Sequence, residues 1–265
     1  IWRTDHKPAH VEAPALSGPS LAGYRFPSPQ EVLIEGYREK ILKARQRHSN
    51  RFFVIMWGSG IFETSWYLRG MENALADAVA EPRFYDELTS AIGEHLLELV
   101  QPLLDLPMDG LMIGDDWGYQ RGLFLGAERW RRFMKPHLKR VYDRIHSAGK
   151  VAVTHCCGCI TDIVPDLIEI GLDVLESVQP EAMDPYMLKR EYGKDITFWG
   201  GLGSQSTLPF GTPADIRREV HRLCREMGAG GGYILAPAKS LRPEMPVENA
   251  AATVEAFLEQ AGVMV

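Results

Sequence analysis

The chain has 265 residues, of which 45% are hydrophobic, 29 are basic and 35 are acidic, and its formal net charge is −6. A chain of this length can bury a full core, arranged as one large or two small domains. The acidic balance and the lack of any block rich in Lys and Arg argue against a nucleic-acid surface. Every apolar run is interrupted by charges well short of ~18 residues, which excludes a membrane span.

Cysteine usage and the start of the chain bear on where the protein works. Only four cysteines are present, three of them lie close together, and no signal peptide precedes the chain. Sparse, clustered cysteines without a secretion signal predict a reducing, cytoplasmic location. The chain begins at Ile1 rather than at a methionine, so we expect it to be part of a longer protein.

Helical and strand patterns alternate along the chain after a loop-like first segment rich in Pro, His, Ser and Gly. The predicted strands are short apolar runs bounded by Gly or Pro, at Phe52–Trp57, Gly110–Gly114, Val151–Val153, Asp173–Val178, Thr197–Trp199 and Tyr233–Leu235. Ile1 to Thr4 is the predicted end of a further strand. The helices have 3.6-residue periodicity and are predicted from Ser28–Pro29 to Leu42, at Pro82–Leu106, Ala127–Ala148, Ile160–Ile170, Pro213–Met227 and Pro246–Val263.

This alternation predicts a parallel sheet covered by helices, and at this length a TIM-type (β/α) barrel is the leading fold. A doubly wound open sheet is the alternative, but no strand is followed by the dinucleotide fingerprint G-x-G-x-x-G. Six strands are clear and Ile1 to Thr4 adds a seventh, so an eight-stranded barrel needs a strand from before Ile1. We therefore predict one barrel domain over residues 1–265 that lacks the N-terminal strand or strands of a full barrel.

The densest chemical signal is the segment Lys150–Ile160, which reads K-V-A-V-T-H-C-C-G-C-I. Because side chains alternate along a strand, His155, Cys157 and Cys159 are expected on one side, with Cys156 on the other. Imidazole and thiolate are the ligands that zinc prefers, so these three residues are candidate metal ligands. The alternative is that the cysteines are small buried hydrophobes. A disulfide within the cluster is disfavoured, because neighbouring side chains in a strand diverge.

The ends of the other predicted strands carry polar and aromatic residues that a barrel would gather at one mouth. The catalytic candidates are Asp115 and Asp116, because crowding of two carboxylates raises the pKa of one of them. The alternative is that Asp115 caps a helix or hydrogen-bonds backbone. The other strand-end candidates are Trp57, Glu63, Trp117, Glu176, Gln179, Trp199 and Lys239. Each tryptophan alone is more often core, and a solvated surface position is the alternative for Lys239.

Several of these segments resemble the uroporphyrinogen decarboxylase superfamily, which also contains zinc enzymes that move methyl groups to and from corrinoids. The resemblance covers residues 23–259. Its segments are F-E-T-S-W-Y-L-R-G-M-E-N at 62–73, G-D-D-W-G-Y-Q at 114–120, T-H-C-C-G at 154–158, Q-P-E-A-M-D at 179–184, F-W-G-G at 198–201 and G-G-G-Y-I-L-A-P at 230–237. It is more specific for the superfamily than for one activity.

The resemblance implies a TIM barrel with its site in the C-terminal mouth. The His-x-Cys zinc pair of the methyltransferase branch falls on His155 and Cys157, and Lys239 stands where that branch has a later cysteine. Cys159 is the candidate replacement ligand. Since Lys239 repels a dication, we expect either weakly held zinc or an empty site with His155 hydrogen-bonded to an aspartate. The decarboxylase branch grips substrate carboxylates with an N-terminal arginine-rich motif that this chain lacks; its substrate pocket corresponds to Tyr67 and the Asp116–Trp117 region.

Three functions follow from these residues and from the resemblance. The first is zinc-assisted methyl transfer between a small methylated substrate or thiol and a corrinoid held by a separate partner protein, with Trp57, Glu63, Tyr67, Trp117, Gln179, Trp199 and Lys239 as substrate-binding candidates. The second is cofactor-free decarboxylation of uroporphyrinogen. The third is a barrel that binds a ligand and has lost its chemistry.

Overall fold

The structure, a computed structural model, describes residues 2–3, 10–11, 13–33 and 36–262. Its strands are β1 Trp2–Arg3, β2 His10–Val11, β3 Val54–Trp57, β4 Gly110–Gly114, β5 Gly118–Tyr119, β6 Gly122–Leu123, β7 Val151–His155, β8 Val174–Val178, β9 Thr197–Leu202 and β10 Tyr233–Pro237. Its helices are α1 Pro29–Val32, α2 Tyr37–Arg47, α3 Ile61–Arg69, α4 Met71–Ala80, α5 Pro82–Leu104, α6 Gly126–Phe133, α7 Lys135–Ser147, α8 Val164–Glu169, α9 Pro185–Tyr192, α10 Thr207–Phe210, α11 Pro213–Glu226 and α12 Val247–Gln260.

The six strands β3, β4, β7, β8, β9 and β10 belong to one sheet, in the order β10-β9-β8-β7-β4-β3. Parallel pairing joins β3 to β4, β8 to β9 and β9 to β10. Helices follow each of these strands along the chain, so the predicted α/β class with parallel strands is confirmed. In the part of the chain that the structure describes, no helix is both long and apolar enough to cross a bilayer.

The predicted seventh strand is not a member of this sheet. Within the described residues, Trp2–Arg3 pairs antiparallel with His10–Val11 as a separate two-stranded ribbon. Ile1 and Thr4, the other residues of that predicted strand, and Val263, the predicted end of the last helix, lie outside the described residues. A run of a few apolar residues predicts an extended backbone but does not identify its pairing partner, which explains the difference.

Two predicted helices are each divided in two by a local backbone constraint. The predicted Ala127–Ala148 helix is interrupted at Met134, and Pro136 begins the second half because proline fits only the first turn of a helix. The helix predicted from Ser28–Pro29 is interrupted before Gly36, which has a left-handed φ of 77°. The hairpin of β5 and β6 was not predicted, since two-residue strands give no periodicity.

The chain divides into two compact units. Unit 1 comprises residues 1–117, 124–153 and 169–171, and unit 2 comprises residues 118–123, 154–168 and 172–265. Each unit has its own fully buried apolar side chains. In unit 1 these include Ile61, Phe62, Leu88, Ile92, Leu111 and Ile113, and in unit 2 they include Leu175, Phe198, Leu202, Ile216, Val220 and Leu223.

Candidate functional site

In unit 1, Asp115 follows β4 and is fully buried. Its carboxylate accepts hydrogen bonds from the backbone N–H groups of Phe62 at 3.0 Å and Glu63 at 2.8 Å, and from the indole N–H of Trp117 at 2.7 Å. The first two donors belong to the first turn of α3, which has no capping side chain of its own. Asp115 therefore caps α3 although it is distant in sequence, which is the alternative role that the sequence analysis gave it beside catalysis.

The approach of α3 to Asp115 leaves no room for a side chain at Gly60. A Cβ atom there would lie 2.5 Å from the Asp115 side chain, so glycine is required for this cap to form. Burial raises the pKa of Asp115 to about 6, although its three hydrogen bonds act in the opposite direction. A carboxylate whose acceptor positions are used by structural donors holds the helix in place and is not available to a substrate.

The other unit 1 candidates lie partly exposed or in the core. Trp117 is 2% exposed and packs edge-to-face against Trp130, so it belongs to the interior. Tyr67 and Glu63 lie one helical turn apart on α3, with the phenol donating to the Glu63 carboxylate at 3.4 Å. Burial raises the pKa of Tyr67 to about 12, helped by the charge of Glu63.

Two unit 1 candidates keep partly exposed side chains just past strand ends. The indole of Trp57, the last residue of β3, donates to the carbonyl of Ser59 at 3.1 Å. Asp116 is half-buried beside Asp115, unlike its fully buried neighbour. Of the two adjacent carboxylates, Asp116 is therefore the one whose exposure suits chemistry.

In unit 2, three ionisable side chains surround the ring of His155, the last residue of β7. Nδ1 of His155 faces the carboxylate of Glu176 on β8. Nε2 lies 3.3 Å from the sulfur of Cys157 and 3.1 Å from the ammonium nitrogen of Lys239. Lys239 follows β10, so three strands of one sheet supply the group. His155 and Glu176 are 15% and 17% exposed, which leaves the group open to a small molecule but largely shielded from water.

The protonation of His155 decides which contacts are hydrogen bonds. Burial lowers the pKa of His155, but the hydrogen bonds with Cys157 and then Glu176 outweigh it and raise this pKa to about 10. A protonated ring donates from Nε2 to Cys157 and cannot accept from Lys239, whereas a neutral ring with its hydrogen on Nδ1 accepts at Nε2. Because Nε2 holds at most one hydrogen, Cys157 and Lys239 compete for one atom.

The loop that carries Cys157 is held by unit 2 backbone contacts. Gly158 adopts a left-handed φ of 79°, and its N–H lies 3.4 Å from the side-chain oxygen of Gln179. The N–H of Cys159 donates to the carbonyl of Tyr119 at 2.8 Å. A Cβ at Gly118 would lie 2.7 Å from the Cys157 carbonyl oxygen. Glycines at 118 and 158 thus let this loop and the β5–β6 hairpin approach closely.

This loop separates Cys159 from the other candidate ligands. Since β7 ends at His155 and Gly158 turns the chain, strand alternation does not extend to Cys159, whose sulfur lies 3.7 Å from the hydroxyl of Thr161. The structure therefore brings together His155 and Cys157 from the predicted set, and not Cys159. The expected aspartate partner of His155 is replaced by a glutamate, Glu176.

Glu176 is one of the strand-end candidates, and the sequence pattern predicts no role for it. The signal that identifies it is a single charge within the otherwise uncharged strand V-L-E-S-V of β8. In the parallel register Glu176 is paired with Trp199, which is paired in turn with Ile234. Paired residues of parallel strands share a face, so the half-buried Trp199 lies beside the carboxylate that orients His155.

The pair His155 and Cys157 has the ligand atoms of a zinc site, and Glu176 would orient the imidazole as carboxylates do for metal-bound histidines. Zinc would lie ~2.0–2.1 Å from Nε2. The ammonium of Lys239 is already 3.1 Å from that atom. Two unit charges 4 Å apart repel by about 4 kcal/mol at an effective dielectric constant of 20, and a dication doubles this. With Lys239 in this position, the residues do not fit a tightly held zinc ion.

Comparisons with known proteins identify relatives of two kinds. The chain is 31% identical over 180 residues to a uroporphyrinogen decarboxylase of Thermus thermophilus, covering 68% of this chain and 48% of that protein. It is 29% identical over 132 residues to the methylcobamide:CoM methyltransferase MtaA of Methanosarcina barkeri, covering 50% of this chain and 37% of the relative. The chain thus spans about half the length of the curated decarboxylases it matches, and less of the methyltransferase.

A solved methyltransferase from Methanosarcina mazei superposes on 96% of this chain and 72% of its own, with a TM-score of 0.76 and 20% identity. At this identity the likeness concerns the fold, which is that of a TIM barrel, as the strand pattern predicted. The family model described as uroporphyrinogen decarboxylase (URO-D) matches residues 1–260. The chain therefore belongs to the uroporphyrinogen decarboxylase family of enzymes, which confirms the resemblance inferred from its segments.

Proposed function

We propose that the chain transfers a methyl group between the heteroatom of a small substrate and a corrinoid carried by a separate protein. The observation that carries this proposal is the thiol of Cys157 beside Nε2 of His155, with Nδ1 held by Glu176. A sulfur, oxygen or nitrogen atom must gain or lose a proton as a methyl group leaves or arrives. An imidazole oriented at one nitrogen and in contact with a thiol at the other can move that proton.

The residues of the chain have distinct roles in this proposal. Glu176 orients the ring of His155, and His155 holds or releases the proton at Nε2. Lys239 supplies positive charge next to the heteroatom on which negative charge develops, and such charge is most effective in a site with little water. Trp199 is the candidate for substrate contact, because it is half-buried on β9 and paired with Glu176.

Zinc is the cofactor that the resemblance implies for this reaction, where it would activate a thiol or polarise an ether oxygen. Since the Lys239 ammonium lies 3.1 Å from Nε2 and would repel the ion, the proposal includes no step through a metal. The name of the Methanosarcina relative, a methylcobamide:CoM methyltransferase, supports a corrinoid methyl donor or acceptor.

Decarboxylation is the second candidate function. Two observations favour it: the relative with 31% identity is a uroporphyrinogen decarboxylase, and the ammonium of Lys239 is suited to a substrate carboxylate. A thiol beside an imidazole has no evident part in protonating carbon, however. For this reason methyl transfer is the first candidate.

The test uses the purified chain with methylcobalamin and a series of small thiols, and follows loss of the cobalt–methyl absorbance and appearance of the methyl thioether by mass spectrometry. We expect turnover that falls ~10²-fold in His155→Gln, because the proton carrier is lost. His221, exposed on α11, gives the matched control His221→Gln, which should retain the wild-type rate.

Parallel incubation with uroporphyrinogen separates the alternatives. Decarboxylated porphyrin without methyl transfer would replace the proposal by the second candidate. Inactivity in both assays, with the fold intact by circular dichroism, would favour the ligand-binding barrel.

A further inference from the structure

The ammonium of Lys239 lies beside Nε2 of His155, the nitrogen that also faces Cys157. Lys239 follows β10, is half-buried, and its nitrogen lies 3.1 Å from Nε2. A lysine placed only for solubility would extend into water. The position of this ammonium is therefore a property of the site and not of the surface.

The contact uses the one atom through which His155 would bind a metal. The carboxylate of Glu176 lies at Nδ1 of His155. Because an ionised carboxylate only accepts hydrogen bonds, Nδ1 of His155 carries a hydrogen and donates it to Glu176. Nε2 is therefore the nitrogen left for a metal ion, and the Lys239 ammonium lies 3.1 Å from it. An ion that bound Nε2 would have to displace the ammonium or lie against it.

We infer that the ammonium of Lys239 takes the place of a metal ion beside His155 and Cys157, which makes this a metal-independent cationic site for an anionic heteroatom of the substrate. Lysine supplies one positive charge and three donors, without an open coordination position. The inference goes beyond the proposed reaction, since it concerns what holds the charge at the site whichever group is transferred.

A pocket next to the cluster supports an anionic ligand. Lys239 lines it together with Ser204, Gln205, Pro209, Ser240, Arg242, Glu244 and Met245. The hydroxyl oxygen of Ser204 is buried and has no hydrogen-bond partner among the described residues. The Ser204 hydroxyl, the Arg242 guanidinium and the ammonium offer an anionic group several donors, and the two cations outnumber the one carboxylate of the lining, that of Glu244.

The test measures zinc per chain by elemental analysis, after equilibration with micromolar zinc and removal of the free ion. Lys239→Met removes the charge at similar volume, and Lys239→Glu replaces the cation by a carboxylate ligand on a shorter side chain. We expect almost no zinc in the wild type, some in Lys239→Met, and about one zinc per chain in Lys239→Glu, with affinity increased ~10²-fold or more over wild type.

Two controls test whether the zinc binds at position 239 beside His155 and Cys157. Lys194 is exposed just before β9, so Lys194→Glu adds the same carboxylate away from the site and should behave as wild type. Adding Cys157→Ser to Lys239→Glu should release the zinc. Stoichiometric zinc in the wild type would overturn the inference, and so would folded Lys239→Glu protein that binds no more zinc than wild type. Because no substrate is present, the result stands whether or not methyl transfer is observed.

Discussion

Asp115 in unit 1 and His155 in unit 2 lie past or at the carboxyl end of a strand, yet their surroundings differ. Asp115 is fully buried and accepts three hydrogen bonds, two from backbone N–H groups of α3 and one from the indole of Trp117. His155 has two polar groups at one nitrogen, Cys157 and Lys239, which cannot both bond to it in one protonation state. A strand-end position alone therefore does not identify a catalytic residue. The Asp115 carboxylate accepts hydrogen bonds from structural donors, whereas Nε2 of His155 is shared by two ionisable groups.

The largest expected effect follows from removing the Asp115 carboxylate. Asp115→Ala would leave the N–H groups of Phe62 and Glu63 and the indole of Trp117 buried without an acceptor. Each of the three lost hydrogen bonds costs about 1–3 kcal/mol, so we expect the free energy of unfolding to fall by at least about 3 kcal/mol, measured by urea denaturation.

The adjacent carboxylate provides the matched control. Asp116→Asn should leave the melting temperature nearly unchanged and lower turnover ~10²-fold, because Asp116 is half-buried and is one of the two catalytic candidates of the sequence. Equal stability losses in the two variants would remove the distinction drawn between them.

A second, smaller effect concerns the pH dependence of the same region. The pKa of Asp115 is about 6 in the folded chain, raised by burial, and about 3.9 when unfolded. Between these values the folded protein keeps a proton that the unfolded chain has released. Its contribution to stability is therefore full below pH 4, falls as the pH rises to about 6, and is lower above that by about 3 kcal/mol.

The comparison to make is wild type against Asp115→Asn, which cannot titrate there. Their difference in unfolding free energy should change over pH 4–6 and be constant from pH 6.5 to 8. A difference that does not vary with pH would show that the three hydrogen bonds, and not burial, control this carboxyl.

Much of the fold was predictable because its signals are local. The apolar runs at 110–114 and 174–178 and the periodic helices gave the α/β class, and the segments at 62–73 and 154–158 gave the family. The pairing of Trp2–Arg3 with His10–Val11 was not predictable, since the choice of strand partner depends on distant residues.

In the candidate site, too, the local contacts were predictable and the long-range contacts were not. The pair His155 and Cys157 follows from its spacing in one strand, and the structure brings these two together. Glu176 and Lys239 join it from two other strands, separated from His155 by 21 and 84 residues. The assignment of Asp115 to the cap of α3 likewise depends on a contact over 53 residues, which no local pattern reveals.

The smallest expected effect is that of Cys159→Ser, which tests whether the candidate site around His155 includes Cys159. Cys159 lies after the turn at Gly158, with its sulfur near the hydroxyl of Thr161 and its backbone N–H bonded to the carbonyl of Tyr119. Cys159→Ser keeps a small polar side chain and leaves this backbone bond intact. We therefore expect turnover within ~2-fold of wild type and a change in stability of at most ~0.5 kcal/mol.

Cys157→Ser is the matched comparison, because it removes the thiol 3.3 Å from Nε2 while Cys159→Ser removes one that the loop directs elsewhere. The two variants should be assayed for methyl transfer in parallel, with Cys224→Ser as a third cysteine outside the loop. If Cys159→Ser lowered turnover as much as Cys157→Ser, the loop would present both sulfurs to the substrate. The boundary of the site would then lie beyond Gly158.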